Sequence, residues 1–395
     1  MSDRRKFLKQ VTAAAVALGW GSRNLLAQVR SVYRMEGAPG AETTISGKTY
    51  LYFGGTSYYT LQNHPALLKA GAEALAKWGM HPATSRLGFG NNALYEAVEK
   101  KAAEYFGTED AVYVASGYLG NTAGFQALSA VGKYDVVFLD DDAHYSLADF
   151  VGVLGLPVIK FAHGDPEDLR KQIKANLKAG QKPFVASDGV FPTYGLIAPI
   201  PQYLEVLAPY EGTIWLDDNH GVGVLGANGR GTYEHYNLKS DHLLFGGTFS
   251  KAFGSHGGII PGSRVFADAI RAGHIFNGAT YSISAAAAAS LAGMDILMQH
   301  PEMRTQLWRN ARQLKDGLRK LGFAMNDTPM PVAAWTLKSS EDMDSVHTEL
   351  MKRGICIQRS HYVGAGVKGC LRAVVFSTHT PEQIDRLLTA LKAFV

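Results

Sequence analysis

Phe245-Gly246-Gly247-Thr248-Phe249-Ser250-Lys251-Ala252-Phe253-Gly254-Ser255-His256-Gly257-Gly258 decides how the rest of the chain is read. An apolar run ends in small residues, with a single lysine set among them. Few neighbours in sequence could hold that lysine in a surface ion pair. A lysine in poor solvent has a depressed pKa and can serve as an amine nucleophile. Thr248 and Ser250 offer hydroxyls, and the glycines offer exposed amides, so an anion can bind beside the amine. An amine next to an anion site suggests pyridoxal phosphate held as a Schiff base on Lys251. Taken alone, the stretch fits a surface lysine among glycines about equally well.

A second constellation lies upstream in Gly212-Thr213-Ile214-Trp215-Leu216-Asp217-Asp218-Asn219-His220-Gly221. Thr213 to Leu216 has the composition of a short buried strand, with acids at its end. Ligands of open α/β sheets bind outside the carboxyl ends of strands. An electron-sink cofactor needs a protonated pyridine nitrogen, and a carboxylate keeps it so. Asp217 is the candidate for that carboxylate, with His220 within reach of the ring hydroxyl. Helix capping or loop solvation is the usual fate of such acids.

The order Asp-Asp-x-His-Gly-x-Gly-x-x-Gly, followed by Gly-Thr-x-x-Lys-Ala-x-Gly, resembles the α-oxoamine synthases. These are fold-type I pyridoxal phosphate enzymes such as aminooxononanoate synthase, aminoketobutyrate ligase and serine palmitoyltransferase. The resemblance runs from about Phe53 to the C-terminus. It implies that Lys251 forms the Schiff base and moves the substrate α-proton. Asp217 would pair with the ring nitrogen, His220 would lie near the ring oxygen, and Thr248 would bind phosphate. Ser116-Gly117-Tyr118 matches a turn whose amides meet the phosphate, which suits a strand-to-helix junction. His144 matches a histidine stacked on the pyridine ring. Asp188 lies in Asp188-Gly189-Val190-Phe191, a further strand end near the cofactor. Ser85 and Arg86 match a substrate-side Ser-Arg pair. Arg359 matches the arginine that grips the substrate carboxylate, a task suited to its planar fork, and Arg372 is a rival for it. The resemblance also implies a homodimer with active sites at its interface, where Tyr281 or Ser282 would reach the neighbour's cofactor phosphate.

The implied reaction is condensation of a small amino acid with an acyl thioester, an acyl-coenzyme A, to give an α-oxoamine. Departures cluster at substrate-facing positions. Thr56-Ser57-Tyr58-Tyr59-Thr60 replaces an asparagine-containing segment, and Tyr95 stands where relatives have histidine. Pro192 replaces a serine, and Ala285 to Ala289 replaces a Pro-Pro pair. An aminotransferase, lyase or aldolase of the same fold, or a silent cofactor-binding relative, stays open as an alternative.

Gly221-Val222-Gly223-Val224-Leu225-Gly226 imitates a dinucleotide fingerprint, with Asp241 placed like a ribose-binding acid. That fingerprint must open a helix, but Ala227-Asn228-Gly229-Arg230-Gly231 follows at once and favours a loop.

The chain has 395 residues, 46% hydrophobic and 19% charged, and a net charge of +4. This composition is globular, with room for two domains. No long basic block follows residue 10, so nucleic-acid binding has little support. The two cysteines, Cys356 and Cys370, lack metal-type spacing with histidines. At the N-terminus, Asp3-Arg4-Arg5-Lys6-Phe7-Leu8-Lys9 has the form of a twin-arginine export signal. The apolar stretch Val11 to Leu18 follows and is too short to span a bilayer. Export to the periplasm is the expectation, with a cytoplasmic location as the alternative.

Short apolar runs alternate with helical segments from Thr49 to Phe245, which predicts a mainly parallel sheet covered on both faces. The expected organisation is a signal segment over 1–27, an arm over 28–60, a large cofactor-binding domain over 61–295, and a small C-terminal α+β domain over 296–395.

Overall fold

A computed structural model describes residues 33–279 and 282–394. The signal segment and Tyr281 lie outside these described residues. In chain order the strands are β1 (Glu42–Ile45), β2 (Lys48–Phe53), β3 (Asp110–Val114), β4 (Val136–Asp140), β5 (Val158–Phe161), β6 (Pro183–Asp188), β7 (Val190–Phe191), β8 (Leu196–Ile197), β9 (Thr213–Asp217), β10 (Leu243–Thr248), β11 (Gly258–Gly262), β12 (Val332–Trp335), β13 (Ile355–Ser360) and β14 (Cys370–Val374).

Seven strands form the large sheet, in the order β3-β11-β10-β9-β6-β4-β5. The run from β10 to β5 is parallel. Every residue of β4, β6 and β9 is buried, which requires cover on both faces and explains the mainly apolar runs that precede their terminal aspartates. The sequence pattern did not reveal β11. It runs antiparallel to both β3 and β10, and its glycines and Pro261 disguise it as loop.

Helix boundaries follow local chemistry. Pro65–Trp78 begins with Pro65 in its first turn, and the His64 side chain accepts from the Ala66 amide. The helix Ala93–Phe106 begins where the Asn92 side chain caps it by accepting from the Leu94 and Tyr95 amides. Between the large sheet and the small domain, three helices follow in turn, Arg264–Ala272, His274–Gly278 and Ser284–Gln299.

A second, five-stranded sheet has the order β1-β2-β13-β14-β12. The C-terminal α+β unit is thus completed by the N-terminal arm, whose strand β2 pairs in parallel with β13. Phe53 joins Leu314, Leu318, Val346 and Leu387 in its separate core. Cys356 and Cys370 are buried and free.

Candidate active site

Strands β9, β6, β4 and β10 end at one edge of the large sheet, and the chemistry-bearing residues gather there. Asp217 closes β9 and is 2% exposed. Its Oδ2 accepts from Asn121 Nδ2 at 2.8 Å and from Ser146 Oγ at 3.2 Å, and its Oδ1 accepts from the Asn219 amide at 3.1 Å. Asn121 is itself oriented by Trp215, whose indole N–H donates to Asn121 Oδ1 at 2.8 Å. The carboxylate is therefore held in place through β9's own tryptophan. Asp188 ends the neighbouring strand, and its Oδ2 accepts from the His144 amide at 2.8 Å. Burial, and then the charge of Asp217, push the Asp188 carboxyl well above the ordinary range.

Lys251 follows β10. Desolvation lowers its pKa, Asp217 and Asp188 pull it back up, and Arg372 adds to the lowering. Among the described residues, no hydrogen bond or ion pair holds its amine. His220 is buried, and its Nδ1 lies 2.7 Å from the Tyr58 hydroxyl. Burial holds this imidazole well below the usual histidine range, with Lys251 and Arg372 reinforcing the effect. His144 Nδ1 is 3.9 Å from Asp217 Oδ2, but burial outweighs the carboxylate and keeps the ring neutral-leaning.

The anion cradle lies at the start of the helix Gly117–Val131. Ser116 caps it, accepting from the Leu119 amide at 3.2 Å. The amides of Gly117 and Tyr118 sit in the first turn, where no intrahelical acceptor exists. A Cβ at Gly117 would come within 2.6 Å of Asn219 Oδ1 and 2.8 Å of Thr248 Cβ, so only glycine leaves this corner open. Among the described residues, Asn219 Oδ1 is buried there without a hydrogen-bond partner. The Thr248 hydroxyl accepts from the Ser250 amide at 3.1 Å and lies 3.0 Å from the Gly257 carbonyl. A dianionic phosphate suits the free amides and the positive helix end, and a pyridine ring suits the carboxylate behind them. These residues fit pyridoxal phosphate.

The substrate-side candidates fare differently. Arg359 points away from this edge: its guanidinium donates to Asp344 and Ser340 at 2.8 and 2.7 Å and to the Lys368 carbonyl at 2.7 Å. Arg372 is the arginine at the site. It is 6% exposed, donates to the Pro192 carbonyl at 3.1 Å, and its charge is felt by Lys251, His220 and Tyr58. Position on the strand decides this, since Arg359 and Leu371 are register partners and Arg372 faces the other way. Arg86 is buried in a two-pronged pairing with Glu99 and donates to Asn91 at 2.8 Å, so it braces its loop against the helix Ala93–Phe106. The Ser85 carbonyl closes the same loop by accepting from Gly88 and Gly90. Tyr118 is half-exposed, and its hydroxyl donates to Asp149 at 2.9 Å. Tyr95, the departure from histidine, donates to the Ser282 carbonyl at 2.9 Å. Sequence reasoning placed Tyr58 in a substrate-facing segment without a role, and missed Asn121, Ser146 and Tyr362. The only signal for Ser146 was its place two residues after His144, and the others have none that is local.

The dinucleotide look-alike is a loop. Asp218 pins it by accepting from the Thr232 amide at 2.7 Å and from the Thr232 hydroxyl. Gly223 and Gly226 adopt φ of 81° and 87°, which no helix start could use. Among the described residues there is no cluster able to hold a metal ion, and no helix is long and apolar enough to cross a membrane.

An unengaged amine within reach of the Asp217 carboxylate and the Asp188 carboxyl, beside an anion cradle on a mainly parallel sheet, defines a fold-type I pyridoxal phosphate-dependent enzyme. The chain belongs to the aminotransferase class I and II family, which it matches over residues 49–391, and within it to the α-oxoamine synthases. It is 32% identical to the 8-amino-7-oxononanoate synthase of Thermoanaerobacter pseudethanolicus over 369 residues, 92% of each chain. It is also 32% identical to the enzyme of the same name from Lysinibacillus sphaericus, over 89% of this chain and 90% of the other. Among solved structures it resembles a serine palmitoyltransferase from S. paucimobilis with a bound PLP–myriocin aldimine, with a TM-score of 0.86, 28% identity and 97% of each chain covered. The serine palmitoyltransferase of Sphingomonas wittichii is similar at a TM-score of 0.86 and 26% identity, over 98% of this chain and 96% of that one.

Proposed function

We propose that this protein is a pyridoxal phosphate-dependent C-acyltransferase that joins a small amino acid to an acyl thioester and releases the thiol. The observation that carries this reading is the Lys251 amine, desolvated and within the electrostatic reach of Asp217, Asp188 and Arg372, in a chain similar over 92% of its length to an 8-amino-7-oxononanoate synthase. When bound, pyridoxal phosphate supplies an electron sink for a carbanion at the amino acid's α-carbon. The amides at Gly117 and Tyr118, with Thr248, would hold its phosphate, and Asp217 would face its ring nitrogen. Lys251, with its charge disfavoured by desolvation, is the base that takes and returns the α-proton. Arg372 offers a buried cation to the substrate carboxylate, and its own anchor on the Pro192 carbonyl sets its direction. His220, held neutral, offers a hydrogen bond without adding a second positive charge beside Lys251.

Loaded protein incubated with glycine, alanine or serine and a series of acyl-coenzyme A donors should release free thiol with at least one pair. Accumulation of keto acid without thiol release from any pair would replace condensation by transamination. The same reading includes a homodimer, supported by the resemblance to serine palmitoyltransferases. Light scattering should return twice the chain mass. It also includes export, supported by the Arg4-Arg5 pattern. A host lacking the twin-arginine translocase should retain the protein inside the cell, whereas a competent host should not.

A further inference from the structure

The loop after β13 brings Tyr362 from the small domain onto the large one. Its hydroxyl lies 2.6 Å from His144 Nε2, and its ring stands edge-on to Tyr145 at 5.3 Å and 89°. Thr193 anchors this loop by donating to the Val363 carbonyl at 2.6 Å. On the other side of the imidazole, His144 Nδ1 lies 2.7 Å from Ser146 Oγ, and the Ser146 hydroxyl donates to Asp217 Oδ2 at 3.2 Å. A hydroxyl has one proton. Once Ser146 gives it to Asp217, its oxygen accepts from His144 Nδ1–H and from Asn121 at 2.8 Å. Nε2 is then bare, and the Tyr362 hydroxyl must be its donor. The Ser146 amide lies 3.2 Å from the same Nδ1 and favours the opposite tautomer, but with Nδ1 as an acceptor the Ser146 proton would turn to the imidazole and the Asp217 carboxylate would lose that donor. Burial pushes the Tyr362 phenol up to about 12, so it remains a donor.

We propose that Tyr362 is a positioning residue for His144: its hydroxyl fixes the imidazole as the Nδ1–H tautomer, in a directed chain from Tyr362 through His144 and Ser146 to Asp217. The chain ties the orientation of His144 to the docking of the small domain. Only the kinetic part of the test rests on the acyltransferase reading.

Protein labelled with 15N-histidine is examined by long-range 1H–15N correlation, both free and loaded with pyridoxal phosphate, with His144 assigned through His144→Gln. Wild type should show His144 protonated on Nδ1 alone. In Tyr362→Phe, which keeps the ring packing, an Nε2–H population should appear in both states. The kcat for thiol release should fall about tenfold, the worth of one neutral hydrogen bond, with KM for the amino acid shifting less than about threefold. Ser146→Ala, which cuts the chain on its other side, should disturb the same nitrogen pattern. A wild-type His144 protonated on Nε2, or a pattern unchanged in Tyr362→Phe, overturns the proposal whatever the turnover does. A tautomer change in protein that transfers no acyl group with any donor supports the positioning role and removes the reaction assignment instead.

Discussion

Asp188 and Asp217 are register partners at the ends of two adjacent parallel strands, so two buried carboxyl groups stand side by side behind Lys251. Their surroundings are unequal. Asp217 accepts from Asn121, Ser146 and Asn219, whereas among the described residues the Asp188 carboxyl accepts only from the His144 amide. Burial and the neighbouring Asp217 charge together push the Asp188 carboxyl up, with one donor to oppose them. The pair therefore has one carboxylate suited to a ring nitrogen and one group whose charge is already disfavoured. Asp217→Asn should lower thiol release by about 10² or more, as loss of a preorganised charge does. Asp188→Asn should cost less than about tenfold, since it replaces a group that leans neutral and keeps the acceptor for His144. Equal losses in the two variants would show that this asymmetry is wrong. Steady-state kinetics, with the visible spectrum as a check on cofactor loading, decides the point.

The two arginines separate cleanly. Arg372→Lys should raise KM for the amino acid at least about tenfold, because a point charge cannot reproduce a planar bidentate fork. Arg359→Lys should leave KM within about twofold, because its partners are Asp344, Ser340 and Lys368. A KM effect confined to Arg359→Lys would reverse the assignment.

Gly124 lies inside the helix Gly117–Val131, where alanine would ordinarily be preferred by about 1 kcal/mol. A Cβ there would fall 2.1 Å from the Trp215 ring, the same ring that orients Asn121. Overpacking wins, so Gly124→Ala should destabilise by roughly 1–3 kcal/mol. It should also weaken cofactor retention by displacing Asn121 from Asp217. Urea unfolding and the visible band measure the two effects, and a variant at least as stable as wild type would contradict the packing.

His379 is buried and stacked on Phe53 at 4.5 Å, with Nδ1 accepting from the Phe376 amide at 2.8 Å and Nε2 lying 3.1 Å from the Tyr52 carbonyl. Burial lowers it from the ordinary 6.5 to about 4. The folded protein thus resists a proton that the unfolded chain accepts below 6.5. Its contribution is fully present above pH 6.5 and is lost as the pH falls toward 4, a total of roughly 3 kcal/mol at most. Stability measured by urea unfolding should drop between pH 7 and pH 5. His379→Asn, which keeps an acceptor for the Phe376 amide, should flatten that slope. An unaltered slope would place the acid sensitivity elsewhere, with His220 the next group to test.

Asp217, His220, Thr248 and Lys251 could be located in the sequence because each closes, or lies within three residues of the end of, a short and mainly apolar strand, and strand ends are set by local composition. The alternation of such runs with helical periods also determined a mainly parallel sheet and the edge at which its ligand would sit. Pairing across distance was not determined this way. That β11 enters the sheet reversed, that the N-terminal arm completes the small sheet, and that Arg372 rather than Arg359 faces the site are all matters of register between segments far apart in the chain. The same holds for Tyr362 against His144 and Tyr58 against His220. Local physics chooses what a segment is and where it stops. Which segments then share a buried surface depends on how the folded chain closes its cores, and only the tertiary structure decides that.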